Sequence, residues 1–263
     1  MNVLLLTDKL MFGGAEIYFC KLENHLDHPD MAFTFAAASG ELEDRIDHPE
    51  NFIRLQPGRH RQNIRVLTGV VRRRGIEVIH ANSLRMVLYC IWMKRTARLP
   101  VRILYTKHNV TILEKNRPGL FTYLMNRYVD RIITVSRYEQ EHLTSLGVDP
   151  RRVTTIHNGV DLNRFGFAPK EDREGFRVGI LARISPEKNH RLFVDIADRL
   201  RDVEGMEFYI AGDGRMQRTS VNGSTSSGYP ATCRCSGWSM IPGSSSARWI
   251  YSYSRLSGRC FRW

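Results

Sequence analysis

Acidic residues and lysine are wholly missing from residues 217–263, although the chain carries 27 acidic and 39 basic side chains. The same 47 residues hold 6 arginines, 12 serines, three of the five cysteines (Cys233, Cys235, Cys260) and three of the four tryptophans. An ordinary domain has both charge signs on its surface, and Ser/Gly/Arg low-complexity segments rarely carry so much Trp and Cys. The stretch is therefore expected to be a non-native tail rather than a domain or a linker. It supplies half of the net charge of +12, so the basic balance does not argue for a nucleic-acid partner. Long hydrophobic runs are missing too. None approaches the ~18–20 apolar residues that span a bilayer, and the longest, residues 86–93, is expected to be a buried helix. No basic segment precedes the apolar Val3-Leu4-Leu5-Leu6, so a signal peptide is not expected and the expected location is cytoplasmic. Cys233-x-Cys235 has the wrong spacing for a zinc knuckle and lacks paired partners, which leaves no metal site. Cys20 and Cys90 fall on helix faces and are expected to be core thiols. No Walker loop, Ser-His-Asp elbow or paired-acid motif is present.

What is present is an alternation of two periods. With 42% hydrophobic and 25% charged residues and a mean hydropathy of −0.34, the chain has globular composition and a length that fits two domains. Strand patterns at residues 2–7, 32–37, 52–55, 77–81, 103–106, 131–135 and 153–157 alternate with helical patterns. The helices are expected after Gly13-Gly14 (Ile17, Phe19, Leu22, Leu26) and at 64–74, 84–97, 120–128 and 138–146. Ser136 with Glu139 fits a capping box, and Gly147 suits the C-terminal cap. Such alternation specifies a parallel, doubly wound α/β sheet, in which ligands bind beyond the C-terminal strand ends. Residues 167–174 fit a linker. A strand at 176–182, a helix at 189–201 and a strand at 207–211 ending in Gly212-Asp213-Gly214 make only the beginning of a second Rossmann-like domain.

Four segments follow strands in positions that suit chemistry. Gly13-Gly14-Ala15-Glu16 opens the first helix, where backbone N–H groups can hold a phosphate; by itself it equally fits a tight turn. Arg183-Ile184-Ser185-Pro186-Glu187-Lys188-Asn189 places two cations five residues apart, which suits a leaving diphosphate and equally fits a solvated charged loop. His108-Asn109 and His157-Asn158-Gly159-Val160-Asp161 each follow a strand, where a histidine serves as a structural hydrogen-bonder or as a catalyst.

Taken together, Gly-Gly-Ala-Glu, His-Asn-Gly-Val-Asp, Arg-x-x-Pro-Glu-Lys-Asn and Gly-Asp-Gly, in this order and spacing, resemble the group 1 retaining glycosyltransferases of GT-B fold. The resemblance covers residues 1 to about 216. It implies a complete N-terminal acceptor-side Rossmann-like domain (1–165) and the start of a donor-binding domain (166–216); the tail (217–263) falls outside it and is expected to be disordered. It further implies that Gly13, Gly14, Asn158, Gly159 and Gly212 lie at the nucleotide-sugar donor, that Arg183 and Lys188 stabilise its leaving diphosphate, and that His108 lies near the transferred sugar. No cofactor or metal is implied, because the two cations do the electrostatic work. The acceptor is expected to be a glycan or a lipid-linked glycan. The family's later pair of glutamates is missing here.

The tail has a second reading. Trp and Met each have one codon, so shifting the frame one base earlier over residues 238–242 permits a valine and forces an aspartate. Over residues 249–255 it forces an aspartate followed by apolar residues and a small one. These match the family's Gly-x-Val-x-Asp-Pro and Asp-Ile-Phe-Ile-Leu-Pro-Ser stretches, which leads to the expectation of a frameshift between Gly214 and Thr219 and an inactive fragment. Two other readings fit less well. An NAD-dependent enzyme lacks its full glycine fingerprint here and the acid ~20 residues on. A non-catalytic basic remnant binding membrane or nucleic acid lacks aromatic–basic interleaving. Arg72-Arg73-Arg74, with Lys94, Arg95 and Arg98 beside Tyr89 and Trp92, raises the expectation of peripheral contact with anionic membrane on its inner face, although such cations also suit helix C-termini.

Overall fold

Val3, Leu4, Leu5 and Leu6 are all buried, which a strand permits only when both of its faces are covered. In the computed structural model this run forms β1 (Asn2–Lys9) and is covered on both sides. Leu4 and Leu6 join a large core with Leu67, Val71, Met86 and Ile103. Val3 and Leu5 join a smaller one with Phe19, Cys20 and Phe35. The structure describes residues 1–160, 162, 176–182, 185–211, 238–240 and 249–253. The chain divides into two units, Met1–Gly166 and Phe167–Trp263.

In the first unit, β1 is followed by α1 (Gly14–His25), β2 (Ala32–Ala38), β3 (Phe52–Leu55), α2 (His60–Arg73), β4 (Val78–Ala81) and α3 (Leu84–Thr96). Then come β5 (Arg102–Lys107), α4 (Ile112–Asn116), α5 (Pro118–Tyr128), β6 (Arg131–Thr134), α6 (Arg137–Ser145) and β7 (Val153–Thr155). The seven strands are ordered β3-β2-β1-β4-β5-β6-β7, and every neighbouring pair is parallel. This is the parallel, doubly wound α/β sheet expected from the alternation. The direction of winding reverses between β1 and β4, where such sheets open a crevice at their C-terminal ends. The register of β1 on β2 shifts between Leu6 and Lys9, a local irregularity of the kind that re-aims strand ends beside functional sites.

Local expectations fared unevenly. Gly147 adopts φ +90° after α6, the left-handed conformation that suits glycine at a helix end. Ser136 accepts a hydrogen bond from the Glu139 backbone N–H, but the reciprocal half of the expected capping box is not made. The Glu139 carboxylate goes to Lys107 instead. The complete capping box is at Thr111 and Glu114 on α4, a five-residue helix that the apolar period did not reveal. Cys20 and Cys90 are buried core thiols, as expected, and burial pushes their pKa values up to about 11 and about 12.

The second unit holds β8 (Phe176–Leu181), α7 (His190–Arg199) and β9 (Met206–Ala211), with β8 and β9 parallel. Phe193 and Phe208 pack edge to face at 5.9 Å. Cover is thin: Phe176 is 58% exposed, Leu181 73% and Leu192 53%, side chains that a complete doubly wound sheet would bury. In the tail, β10 (Trp238–Met240) and β11 (Trp249–Tyr253) form an antiparallel pair, and β11 adds antiparallel to β9. That direction is foreign to the parallel winding. The remainder of residues 217–263 and the expected linker at 167–174 lie outside the described residues.

Candidate active site at the switch point

Three strand ends converge on Asn82, the residue that follows β4. Its backbone N–H donates to Leu6 O on β1 at 2.8 Å. Its side-chain amide donates to Ala15 O at the start of α1, also at 2.8 Å. Its Oδ1 lies 2.7 Å from Nε2 of His108, which follows β5. The Nδ2 donation fixes which way the amide points, so Oδ1 accepts and His108 carries its proton on Nε2. Nδ1 is left with its lone pair. Tyr18 of α1 meets the His108 ring edge-on at 5.1 Å, and its hydroxyl is hydrogen-bonded to Thr106. Thr106 Oγ1 lies 2.6 Å from Nε2 of His80 on β4.

Burial governs the protonation of both rings. It lowers the His108 pKa to about 4, and burial, with a lesser contribution from His108, lowers that of His80 to about 4. Both are neutral at pH 7. The unfolded chain takes up these protons near pH 6.5, whereas the folded chain resists until about pH 4. Stability is therefore undiminished by His80 above pH 6.5 and falls as the pH drops toward 4. The slope is at most about 1.4 kcal/mol per pH unit for one ring. Thermal melts between pH ~7 and ~4.5 are expected to fall more steeply for the parent than for His80→Asn. Parallel profiles for the two would sink this assignment.

Gly13 and Gly14 join this cluster. Gly13 caps α1 with extended backbone and offers no side-chain cap. The α-carbon of Gly14 faces open space, whereas a Cβ on Gly13 would meet the Glu16 carboxylate. The Glu16 carboxylate therefore lies beside the start of α1, where an anion suits the helix end. Asp8 at the end of β1 pairs with Arg85 of α3 at 3.5 Å.

Not every expected site residue meets here. Asn158 and Gly159 are exposed and follow β7 at the sheet edge, four strands from β1 and so roughly 19 Å away along the sheet. Lys188 is exposed in the second unit, in a short 3₁₀ turn (Pro186–Lys188) before Asn189, which caps α7 with φ +48°. Arg183 and Gly212 lie outside the described residues. The cations named for membrane contact are largely engaged within the fold: Arg74 with Thr34, Lys94 with Asp130, Arg95 with the Tyr128 hydroxyl and Arg72 with Ala97 O. Tyr89 is buried, while Trp92 is 59% exposed. No helix among the described residues is long and apolar enough to cross a membrane.

Asn82, Tyr18, Thr106, His80 and Lys107 were not anticipated from sequence. The one available signal was position, since Asn82 and Lys107 sit at strand ends. Lys107 is fully buried, 3.1 Å from Glu114 and hydrogen-bonded to Glu139. It ties the end of β5, and with it His108, to α4 and α6. His142 Nε2 lies 3.0 Å from the other oxygen of Glu114, without hydrogen-bond geometry. Tyr105 beside these carboxylates has its pKa raised, first by burial and then by the two negative charges.

Several solved structures share this fold. The solved structure of Anabaena Alr3699/HepE in complex with UDP-glucose matches 79% of the chain and 59% of its own at 18% identity, with a TM-score of 0.63. The lipopolysaccharide outer core galactosyltransferase WaaB, in its apo form, matches 80% and 60% at 13% identity and TM-score 0.57. A glycosyltransferase from Rickettsia africae ESF-5 matches 80% and 68% at 13% identity and TM-score 0.58. At these identities the likeness is one of fold. The chain spans about three fifths of the length of the Anabaena protein. No curated protein sequence matches it. The model of Glycosyltransferase Family 4 matches residues 12–164, from the loop before Gly13 past His157-Asn158-Gly159. With more than half of its length so matched, the chain belongs to Glycosyltransferase Family 4.

Proposed function

We propose that this chain represents a group 1-type retaining glycosyltransferase that moves a hexosyl group from a nucleotide-sugar to a glycan or lipid-linked acceptor. Residues 1–165 form its acceptor-side domain and residues 166–216 begin its donor-binding domain. The observation that carries the reading is the junction of Gly13-Gly14, Asn82 and His108 at the switch point, with space open above Gly14. UDP and UDP-glucose in complexes of the Anabaena protein favour a UDP-sugar as donor. A histidine with a pKa of about 4 is a weak base at neutral pH. His108 therefore orients rather than titrates: its free Nδ1 accepts a hydrogen bond from a sugar hydroxyl. Arg183 and Lys188 neutralise the departing diphosphate, Asn158, Gly159 and Gly212 contribute to the donor site, and no metal is required.

Residues 217–263 are out of frame in this proposal, and the chain as written is inactive. Two features support it: the tail contains no acid and no lysine, and β8 and α7 leave large apolar side chains exposed. Sequencing the gene across codons 214–219 tests the frame directly. Titration of the frame-restored protein with UDP-glucose, and with NAD as the alternative, tests the function. Saturable UDP-glucose binding is expected, and binding of NAD alone would end the proposal. Peripheral membrane contact rests on Trp92, exposed on α3, and on Arg98, exposed just after it. Salt-sensitive sedimentation with anionic but not neutral vesicles is its expected signature, and equal binding to both would refute it.

A further inference from the structure

Between Asn51 and Ile76 the chain has seven arginines and no acidic residue. Three of those arginines, Arg59, Arg61 and Arg65, line a cleft of about 760 Å³ together with Gly58, His60 and Val66. All three guanidinium-bearing residues are exposed. Among the described residues, no ion pair joins any of them to a carboxylate, and the first turn of α2 contains no acid. Other arginines of the unit pair with carboxylates, Arg54 with Glu43, Arg85 with Asp8 and both Arg151 and Arg152 with Asp149; what sets these three apart is that they share one cleft. Three unpaired cations in one place repel one another unless an anion joins them.

The walls of the cleft are fixed before any ligand arrives. Asn63 is buried, and its side chain takes both hydrogen bonds of the preceding loop, accepting from Gln56 N at 2.9 Å and donating to Gln56 O at 2.8 Å. Gly58 turns the chain with φ +74°, a conformation few side chains tolerate, and its α-carbon opens onto free space. His60 is held by the Tyr89 hydroxyl, 2.6 Å from Nδ1, with the two rings edge to face at 6.0 Å. Tyr89 belongs to α3, whose Arg85 reaches Asp8 at the end of β1. The cleft therefore opens on the edge of the sheet that carries Gly13 and His108.

We infer that this cleft binds a phosphate ester, and that the ester belongs to the sugar acceptor. Guanidinium forks match phosphate oxygens two at a time and keep their charge at every relevant pH. A nucleic acid fits less well, because tracking a strand needs a basic groove interleaved with stacking aromatics, and His60 is the only ring lining the cleft among the described residues. The acceptor assignment rests on the glycosyl-transfer proposal; the phosphate assignment does not. A glycosyl phosphate in solution and a lipid-borne phosphate present the same chemistry, and the measurement separates them.

The experiment follows backbone amide resonances of the 263-residue chain during titration with inorganic pyrophosphate and with glucose 1-phosphate. The comparison is with the triple variant Arg59→Gln/Arg61→Gln/Arg65→Gln, whose exposed positions leave the melting temperature unchanged. A second arm measures sedimentation with neutral vesicles that do or do not contain a polyprenyl phosphate. Saturable shifts at residues 58–66, weakened about tenfold or more in the variant, are expected. Response to glucose 1-phosphate without vesicle capture assigns a soluble acceptor, and capture lost in the variant assigns a lipid-borne one. Shifts confined to residues 185–190, identical behaviour of the variant, or tighter binding of a short RNA at residues 58–66 would each overturn the inference. If UDP-glucose fails to bind the frame-restored protein while pyrophosphate still moves residues 58–66, the phosphate site stands and the acceptor assignment falls.

Discussion

Replacing Lys107 by methionine is expected to destabilise the N-terminal domain by about 3–5 kcal/mol. The ammonium is fully buried between two buried carboxylates, Glu114 and Glu139. Methionine fills most of the same volume but leaves two negative charges in a low-dielectric site with no cation. Glu114 is committed twice over, because its carboxylate also closes the capping box of α4 by accepting from Thr111 N at 3.1 Å. Single domains carry only about 5–15 kcal/mol of stability in total, so the variant should melt roughly 6–20 °C below the parent. Removing the charges together separates a charge effect from a packing effect. Lys107→Met with Glu114→Gln and Glu139→Gln should recover most of the loss, since a buried ionic cluster contributes little over a neutral one of similar shape. A melting shift of a degree or two for Lys107→Met would mean that water reaches the cluster and that it does not hold β5.

The second large effect concerns chemistry. In the frame-restored protein, Lys188→Ala is expected to lower sugar transfer by about 10²–10³-fold with little change in melting temperature. Lys188 is exposed on its turn ahead of α7, so its removal should cost little in folding. Its proposed contribution, charge opposite a diphosphate that gains negative charge as the bond to the sugar breaks, is made in the transition state and should appear in kcat. A rise in KM with kcat unchanged would make Lys188 a ground-state binder and transfer the chemical role to Arg183. Turnover of a nucleotide-sugar by the 263-residue chain itself would overturn the proposal of an inactive, out-of-frame tail.

The two predictions differ in how far their residues could be read in advance. Lys188 lies within a local motif, Arg-x-x-Pro-Glu-Lys-Asn, whose spacing is set by seven consecutive residues. Lys107 lies in a strand, where nothing local distinguishes a lysine that points to solvent from one that points inward. Its partners come from two different helices, one of them the short α4 that periodicity could not reveal. Glu139 shows the same competition from the other side. Its position three residues after Ser136 fits a capping box, but a buried ammonium attracts a carboxylate more strongly than a backbone N–H that water can satisfy.

The alternation of strand and helix, the parallel winding that follows from it and the turn at Gly13-Gly14 between β1 and α1 are legible in the residues alone. These depend on periods of two and 3.6 residues and on turn chemistry, which act over a few neighbours. That Asn82 joins Leu6, Ala15 and His108 follows from the packing of the whole sheet. The fold also seats Lys107 between two glutamates and, among the described residues, leaves Arg59, Arg61 and Arg65 without carboxylate partners while pairing Arg54 and Arg85. Those outcomes depend on which strands become neighbours and in what register. A one-residue change of register turns each strand side chain to the opposite face, so the partners of a charge are fixed by the sheet as a whole.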